Sequence, residues 1–209
     1  GASVAFSGIS EIGETTSAEL TAQGFDVLFL RGDMCEEAFC RRLVDATLAR
    51  WGKINYLVNN AFSFTAKAMD ATREDWERSF MVGPVGYATM AALVAEPMRA
   101  QGGGAIVNVA SSAGMFGQAY NAGYCASKGG VAMMTRSIAW EYVKHSIRVN
   151  AISPGQVDTP MVSTIDFPEA MDWKLMRKAI PPRGLSMDPS QPAALIAFLA
   201  SDEATPITG

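Results

Sequence analysis

Five short apolar runs, rich in β-branched residues, are separated along this chain by longer segments with helical patterning. The runs are Val4–Phe6, Val27–Leu30, Tyr56–Val58, Ala105–Val109 and Arg148–Ile152. The intervening segments predict helices over Glu14–Gln23, Glu36–Arg50, Arg73–Gln101, Ala122–Lys144 and Pro189–Ala200. Strands that alternate with helices are typical of a parallel sheet with helices on both faces. We therefore expect one α/β domain over residues 1–209, built on a doubly wound parallel sheet.

The composition limits the classes of partner. The chain is 49% apolar and 18% charged with a formal net charge of −4, so it has no basic stripe for nucleic acid. No apolar run is long enough to span a bilayer, and the first residues lack the basic flank of a secretory signal. We expect a cytoplasmic protein without a membrane or nucleic-acid partner. The single histidine, His145, and the three cysteines lack metal-ligand spacing, so no metal is expected.

A glycine-containing turn follows the first predicted strand and leads into the first predicted helix, with the sequence Ser7-Gly8-Ile9-Ser10-Glu11-Ile12-Gly13. Glycines at such a turn let the backbone approach a pyrophosphate, whose charge is stabilised at the helix N-terminus. Two glycines between a strand and a helix also occur in ordinary turns. From these residues alone, nucleotide binding and a simple turn both remain open.

The fourth predicted helix carries Tyr124 and Lys128, four residues apart. This spacing places both side chains on one helix face, where the lysine ammonium would favour the phenolate and lower the pKa of Tyr124. Such a tyrosine is a usable proton donor and acceptor near neutral pH. The same spacing arises by chance in many helices, so the pair alone does not establish catalysis.

Four landmarks occur together in a fixed order. They are the Gly8–Gly13 turn, Asn59-Asn60-Ala61 after a predicted strand, Ser111 thirteen residues before Tyr124, and Pro154-Gly155 followed by Thr159-Pro160. With this combination the sequence resembles the classical short-chain dehydrogenase/reductase family across almost its whole length. The resemblance implies a Rossmann-like fold and an oxidoreductase that uses NAD or NADP to interconvert a secondary alcohol and a ketone by hydride transfer.

The resemblance also implies a role for each matching residue. Tyr124 corresponds to the general acid/base, Lys128 to the residue that lowers its pKa and binds the nicotinamide ribose, and Ser111 to the hydroxyl that holds the substrate oxygen. The other cofactor contacts implied by the resemblance are Gly8, Ser10, Ile12, Gly13, Asp33, Met34, Asn60, Ala61, Pro154, Gly155, Val157 and Thr159.

The substrate cleft of the family corresponds to largely apolar residues in this chain. They are Phe62, Phe64, Met115, Phe116, Tyr120, Met161, Phe167 and Trp173. An apolar cleft around a few polar groups fits a small hydrophobic ketone or alcohol.

Three residues depart from the family pattern. Glu11 replaces the middle glycine of the turn, Phe62 replaces the glycine after Asn-Asn-Ala, and Gly83 replaces an asparagine. They leave open a catalytically impaired, nucleotide-binding regulatory protein, although we expect Gly83 alone to be compatible with activity. A second alternative is a sugar-nucleotide epimerase or dehydratase of the extended family, which shares the Tyr–Lys pair but has a larger C-terminal region than the residues after Thr159.

The two longest predicted helices carry more apolar residues than packing against one sheet requires. These residues are Ala88, Met90, Ala91, Leu93, Val94, Met133, Met134, Ile138 and Trp140. Because the family commonly associates through these helices, we expect a homodimer or homotetramer.

The stretch after the second predicted strand is short for this fold. Arg31-Gly32-Asp33-Met34 resembles the exit from a further strand, yet a parallel crossover needs a dozen or more residues. Either a strand–helix element has been lost or residues are missing from the sequence. We expect missing residues, with a break between Leu30 and Arg31 and further residues beyond Gly209.

Overall fold

The computed structural model describes residues 1–67, 70–160, 165, 167, 169, 171–178 and 186–209. Within these residues, parallel strands alternate with helices, which confirms the α/β class. The strands are β1 (Val4–Gly8), β2 (Val27–Arg31), β3 (Tyr56–Asn59), β4 (Gly104–Val109) and β5 (Ile147–Ile152). The α-helices are α1 (Ile12–Ala22), α2 (Glu37–Trp51), α3 (Arg73–Phe80), α4 (Gly86–Ala100), α5 (Ser112–Phe116), α6 (Ala122–Tyr142) and α7 (Ser190–Ala200). No helix in these ranges has both the length and the apolar character to cross a membrane.

The strands form two parallel sheets, whereas the sequence predicts one continuous sheet. Strand β1 pairs with β2, and β3, β4 and β5 pair in that order. Both sheets nevertheless share one apolar core, because Ala5 and Leu30 pack against a buried cluster that contains Leu57, Ile106 and Val149. The core therefore joins the two sheets on the face that α2 and α4 cover.

Strand β2 runs without interruption through the expected chain break. Leu30 and Arg31 are consecutive residues of this strand and pair in register with Ser7 and Gly8 of β1. The predicted break between them is therefore wrong. The residues that resembled the exit from a further strand are the end of β2 itself, and α2 supplies the crossover from β2 to β3.

The predicted helix over Arg73–Gln101 is divided in two by a π-helical turn at Met81–Val85. Gly83 has φ −77° and ψ −111°, outside the helical region, and Pro84 has no amide hydrogen to continue the helical bonding. A Cβ atom on Gly83 would overlap the hydroxyl of Ser127, which donates a 2.7 Å hydrogen bond to the carbonyl of Ser79. Glycine therefore permits the close approach of α6 to this turn.

This packing predicts coupling between Gly83 and Ser127. Gly83→Ala should lower the free energy of unfolding by about 1–3 kcal/mol because the new methyl group displaces the Ser127 hydroxyl. Ser127→Ala should recover part of that loss, since the Ser127 Cβ lies 3.6 Å from the added atom. Urea unfolding of both single variants and the double variant measures the coupling. Gly130→Ala, where the added atom meets only Pro84 at 3.6 Å or more, is the matched control. Strict additivity of the two changes would contradict the contact.

Candidate active site

Helix α6 directs Lys128 into the interior of the protein. Its buried positions are Ser127, Lys128, Val131, Thr135 and Ala139, a three- and four-residue repeat that marks one helix face. Lys128 is only 2% exposed, and Tyr124 lies one turn before it. The helix thus buries a cation next to a tyrosine.

The buried ammonium of Lys128 has neutral partners. Its Nζ donates to the carbonyl of Val109 at 2.6 Å and to the hydroxyl of Tyr87 at 3.3 Å. It also lies over three aromatic rings, those of Phe62, Tyr87 and Tyr124, at 5.6, 5.4 and 6.0 Å from their centroids. No carboxylate in the described part of the chain pairs with it. Loss of water around the charge lowers the pKa of Lys128 from 10.5 to about 8.

Tyr124 lies between aromatic rings and Ser111. The rings of Phe62 and Phe64 meet it edge-on at centroid distances of 6.1 and 5.0 Å. Burial raises the pKa of Tyr124, and a hydrogen bond with Ser111 opposes part of that effect. The sequence predicts the opposite direction through the Lys128 ammonium, but desolvation dominates. The tyrosine hydroxyl therefore keeps its proton at neutral pH.

Ser111 is positioned by the junction between β4 and α5. It is the N-cap of α5, and its Oγ accepts a 3.1 Å hydrogen bond from the amide of Ala113. The next amide, that of Ser112, donates to the carbonyl of Pro154 at 2.9 Å. The cap fixes the Ser111 oxygen and leaves its hydroxyl proton for a second bond. Because Ser112 follows β4 and Pro154 follows β5, the bond between them joins the ends of these two strands beside Tyr124.

Tyr87 is a site residue that the sequence motifs do not predict. It is 2% exposed, and its hydroxyl donates to the carbonyl of Ala61 at 2.8 Å while accepting from Lys128. Burial raises the pKa of Tyr87, so its hydroxyl stays neutral. The available sequence signal is its spacing from Met90 and Val94, which places it on the buried stripe of α4, where a tyrosine hydroxyl needs a partner.

A ladder of buried hydrogen bonds between side chains holds the strands around Lys128 and Tyr124 in place. The side chain of Asn59 donates to Asn108 at 2.9 Å, and that of Asn108 donates to Thr135 at 2.9 Å. All three residues are at most 5% exposed. Because unpaired amides are costly to bury, this ladder fixes the relative positions of β3, β4 and α6.

Some of the predicted cofactor residues after β3 and β5 lie near Lys128 and Tyr124. Ala61 contacts it through Tyr87, and Pro154 contacts it through the Ser111–Ser112 junction. Val157 forms an isolated parallel bridge with Met187. The described contacts do not connect Asn60, Gly155 or Thr159 with Tyr124, and their predicted roles remain predictions.

Asp33 and Met34, predicted to line the adenine pocket, have structural partners after β2. The Asp33 carboxylate accepts from the Cys35 amide at 2.9 Å and from the Arg78 guanidinium at 2.6 Å. Burial opposes ionisation, but these two bonds outweigh it and hold the pKa of Asp33 below its ordinary value. The Met34 sulfur accepts from the Ser7 hydroxyl at 3.6 Å. Asp33 therefore links the end of β2 to α3.

The Gly8–Gly13 turn is already closed on itself. The amide of Ile12 donates to the Ser10 hydroxyl at 3.2 Å, and those of Gly13 and Glu14 donate to the carbonyls of Ser10 and Glu11 at 3.3 and 2.9 Å. Glu11 turns outward to Arg31, at 2.9 Å. A Cβ on Gly13 would overlap the ring of Phe29 on β2. No contact in the described part of the chain joins this turn to Tyr124.

The predicted apolar cleft is brought together only in part. Phe62 and Phe64 contact Tyr124, whereas Phe167 packs on Trp173 at a centroid distance of 5.6 Å. The Tyr120 hydroxyl accepts from the Asp172 amide at 2.8 Å. Met115 and Phe116 are exposed. Met161 lies outside the described residues.

The family is shown by comparison with known proteins. A family model described as enoyl-(acyl carrier protein) reductase matches residues 1–209. A structure of a short-chain dehydrogenase/reductase from Burkholderia xenovorans superposes with a TM-score of 0.86 at 34% identity, covering 100% of this chain and 81% of that one. This chain belongs to the short-chain dehydrogenase/reductase family. It is an oxidoreductase that acts on CH–OH groups.

Two of the named relatives are dehydrogenases of ring alcohols. The cis-4-hydroxycyclohexanecarboxylate dehydrogenase of Sinomonas cyclohexanicum is 36% identical over 213 residues, covering 100% of this chain and 83% of the relative. The cyclopentanol dehydrogenase of Comamonas testosteroni is 35% identical, covering 100% and 84%. A 7α-hydroxysteroid dehydrogenase, solved with NADH and 7-oxo glycochenodeoxycholic acid, has a TM-score of 0.89 at 27% identity, covering 100% and 81%.

The burial of the Lys128 charge should lower the stability of the folded protein at neutral pH. Because the folded protein holds the Lys128 proton less tightly than the unfolded chain, the free energy of unfolding should rise as pH increases from about 8 toward 10.5. Lys128→Met should remove this rise and stabilise the protein at pH 7 by about 1–3 kcal/mol. Urea unfolding at pH 7 and 9.5 measures both effects.

The matched control for this prediction is the exposed Lys144. Lys144→Met should not reproduce the stabilisation at pH 7, because this side chain is already exposed. A Lys128→Met protein that is less stable at pH 7 would contradict the cost assigned to the buried charge.

Proposed function

We propose that this protein uses NAD or NADP to interconvert a secondary alcohol and a ketone by hydride transfer, with Tyr124 as the general acid/base. The observation that carries the proposal is a protonated, half-buried Tyr124 that is hydrogen-bonded with Ser111 and lies one helical turn from the buried Lys128 cation. A proton donor, a second hydroxyl and a cation in a water-poor site are the groups that reduction of a carbonyl requires.

In the direction of reduction, Ser111 and Tyr124 hold the carbonyl oxygen of the substrate by hydrogen bonds. As negative charge develops on that oxygen, Tyr124 transfers its hydroxyl proton to it and becomes a phenolate. The Lys128 ammonium, 6.0 Å from the centroid of the Tyr124 ring, favours the phenolate by charge attraction. In the direction of oxidation, the phenolate accepts the proton from the alcohol.

The residues around Lys128 fit the nicotinamide end of the cofactor. The ammonium is buried without a carboxylate partner in the described part of the chain, and ribose hydroxyls can accept hydrogen bonds from it. Asn60, Ala61, Pro154, Gly155, Val157 and Thr159 follow the carboxyl ends of β3 and β5, where ligands bind in open α/β sheets. When bound, the cofactor supplies the hydride. The Gly8–Gly13 turn offers a poorer fit to the pyrophosphate, because the first amides of α1 are already bonded within the turn.

A cyclic secondary alcohol or ketone is the proposed substrate class. The aromatic rings of Phe62 and Phe64 beside Tyr124 offer flat apolar surfaces to a saturated ring. Relatives named for cyclopentanol and for a hydroxycyclohexanecarboxylate support the same class.

Substitution of Tyr124 tests the proposal. Tyr124→Phe should lower turnover at least about 1,000-fold while leaving cofactor affinity nearly unchanged, because it removes the transferred proton and little else. Oxidation of NADH or NADPH with cyclopentanone, cyclohexanone and larger cyclic ketones is followed by absorbance, and cofactor binding by fluorescence. Tyr142→Phe, at the far end of α6, is the matched control and should retain activity. Substantial turnover by Tyr124→Phe would exclude this assignment.

We also propose a homodimer or homotetramer that associates through α6. Met133 and Trp140 are seven residues apart on one face of α6 and are 63% and 82% exposed. Met90, Ala91 and Val94 of the sequence prediction are buried in the core and do not contribute to that surface.

The association is tested by charge placed on this face. Met133→Lys and Trp140→Lys together should convert the oligomer to a monomer, because two buried charges at a symmetric interface would be repeated in each copy. Light scattering at micromolar concentration gives the mass. Phe25→Lys, at another exposed apolar position, should leave the mass unchanged. A monomeric unsubstituted protein would contradict the proposal.

A further inference from the structure

The hydroxyl of Tyr87 makes a contact that its own burial does not require. Tyr87 has one hydroxyl proton, which it donates to the carbonyl of Ala61 at 2.8 Å, because the other acceptor within reach, the carbonyl of Val109, lies at 3.4 Å. One such bond satisfies a buried tyrosine. The oxygen nevertheless also accepts from Nζ of Lys128 at 3.3 Å. This second contact therefore serves the lysine rather than the tyrosine.

The Lys128 ammonium has few other groups to hold it. An ammonium carries three N–H donors at the end of a flexible stem. One donates to the Val109 carbonyl at 2.6 Å and another to the Tyr87 hydroxyl. The third has no acceptor in the part of the chain that the structure describes. With the Val109 bond alone, the ammonium could rotate about that bond, and its other N–H groups would have no fixed direction.

Tyr87 is itself held from three sides, so it can orient another group. Its ring packs in a buried cluster with Ala110 and Val131. Its backbone carbonyl accepts from the Asn59 side chain at 3.4 Å, and its hydroxyl proton is taken by Ala61. A hydroxyl whose position and proton are both fixed presents its lone pair in one direction. The lysine ammonium lies in that direction.

The irregular start of α4 brings Tyr87 within reach of α6. Gly83 lies so close to α6 that a Cβ atom there would overlap the hydroxyl of Ser127, the residue before Lys128. Tyr87, four residues after Gly83, meets Lys128 itself. Neither Gly83 nor Gly86 has a side chain to offer. The polar group that this part of the chain gives to the lysine is therefore the Tyr87 hydroxyl.

We propose that Tyr87 is a positioning residue for Lys128. Its hydroxyl keeps the ammonium charged and in one orientation, so that the N–H left free by Tyr87 and Val109 is available to the Tyr124 phenolate and to a ribose hydroxyl. This inference rests on the proposed function where it concerns the reaction. The contact between Tyr87 and Lys128 does not depend on any substrate.

In the described part of the chain, no other charged group accounts for the ionisation of Lys128. The titratable groups that face it are the hydroxyls of Tyr87 on α4 and Tyr124 on α6, while β4 gives the Val109 carbonyl and the segment after β3 gives the Phe62 ring. No charge comes from the other described elements packed near it on α6, namely α3, α5, β5 and the π-helical turn. Burial lowers the pKa of Lys128, whereas a hydrogen bond to a neutral hydroxyl favours its charged form. Removal of the hydroxyl should lower that pKa further.

Titration of Lys128 in the Tyr87→Phe protein tests the proposal without substrate. Phenylalanine keeps the ring and removes only the hydroxyl, so carbon-13 NMR of labelled lysine Cε should place the Lys128 midpoint about one pH unit below that of the unsubstituted protein. Thr135→Val is the matched control, because this buried hydroxyl also accepts from a side chain, that of Asn108, and donates to a carbonyl, that of Val131. The control should lower the midpoint of urea unfolding but leave the Lys128 titration in place. No shift in Tyr87→Phe, or an equal shift in both variants, would overturn the proposal.

A measurement on the unsubstituted protein does not depend on the folding of any variant. An Overhauser effect should connect the Cε protons of Lys128 with the ring protons of Tyr87, since Nζ lies 5.4 Å from the centroid of that ring and 3.3 Å from its hydroxyl oxygen. Failure to observe this contact in the folded protein would also contradict the proposed role of Tyr87.

The pH profile of turnover connects the contact with the reaction. With a cyclic ketone and NADH or NADPH, Tyr87→Phe should lower turnover about fivefold at pH 8 and less than about twofold at pH 6, because the lower midpoint leaves fewer charged Lys128 side chains at the higher pH. An equal loss at both pH values with an unmoved Lys128 midpoint would mark a merely structural role and overturn the proposal. A shifted midpoint in a protein whose unsubstituted form has no turnover would retain the role of Tyr87 and contradict the proposed function.

Discussion

The burial of the Lys128 ammonium is the interaction on which the rest of the site depends. A cation that is 2% exposed must be stabilised by its surroundings, and the groups that do so come from four parts of the fold, namely β4, α4, α6 and the segment after β3. Val109 at the end of β4 supplies a carbonyl, Tyr87 of α4 supplies a hydroxyl, and the rings of Phe62 and Tyr124 supply their faces. The need to solvate one charge therefore brings β4, α4, α6 and the segment after β3 together beside Tyr124, the general acid/base of the proposed reaction.

The electrostatics of this centre differ from the simple expectation for a Tyr–Lys pair. The sequence predicts an ammonium that lowers the pKa of Tyr124, but burial raises the pKa of Tyr124 and lowers that of Lys128. Both effects have the same origin, because removal of water disfavours the charged form of either group. In the proposed mechanism, the Lys128 ammonium has to offset this cost when Tyr124 gives up its proton.

Local sequence signals predict local structure well in this chain. The five strands and the helix that carries Tyr124 lie where the apolar runs and the helical patterning place them. Ser111 and Tyr124 come together as their spacing implies, since β4, α5 and α6 follow one another directly. Gly83 and Pro84 indicate an irregularity in the long helix. Its geometry depends on the contact with Ser127, which the local sequence does not show.

Features that depend on pairing between distant segments of the chain cannot be predicted from local sequence signals. The division of the sheet between β1 and β3 follows from which strand edges meet, and apolar runs carry no information about that choice. The Gly8–Gly13 turn matches a phosphate-binding pattern, yet its amides close on Ser10 and Glu11 and its second glycine makes room for Phe29. Likewise, the end of β2 at Arg31 resembled a further strand because strand length cannot be read from four residues.

The ionisation of Lys128 can be measured by itself in the folded protein. Carbon-13 NMR of a protein labelled at the lysine Cε positions, with Lys128→Met to assign the signal, follows this residue through a pH titration. A buried ammonium without a carboxylate partner should titrate with a midpoint at about 8, while Tyr124 stays protonated throughout the neutral range. A Lys128 midpoint at or above 10.5 would show that the ammonium is solvated or paired with a carboxylate, and would contradict the buried, unpaired cation on which the site is built.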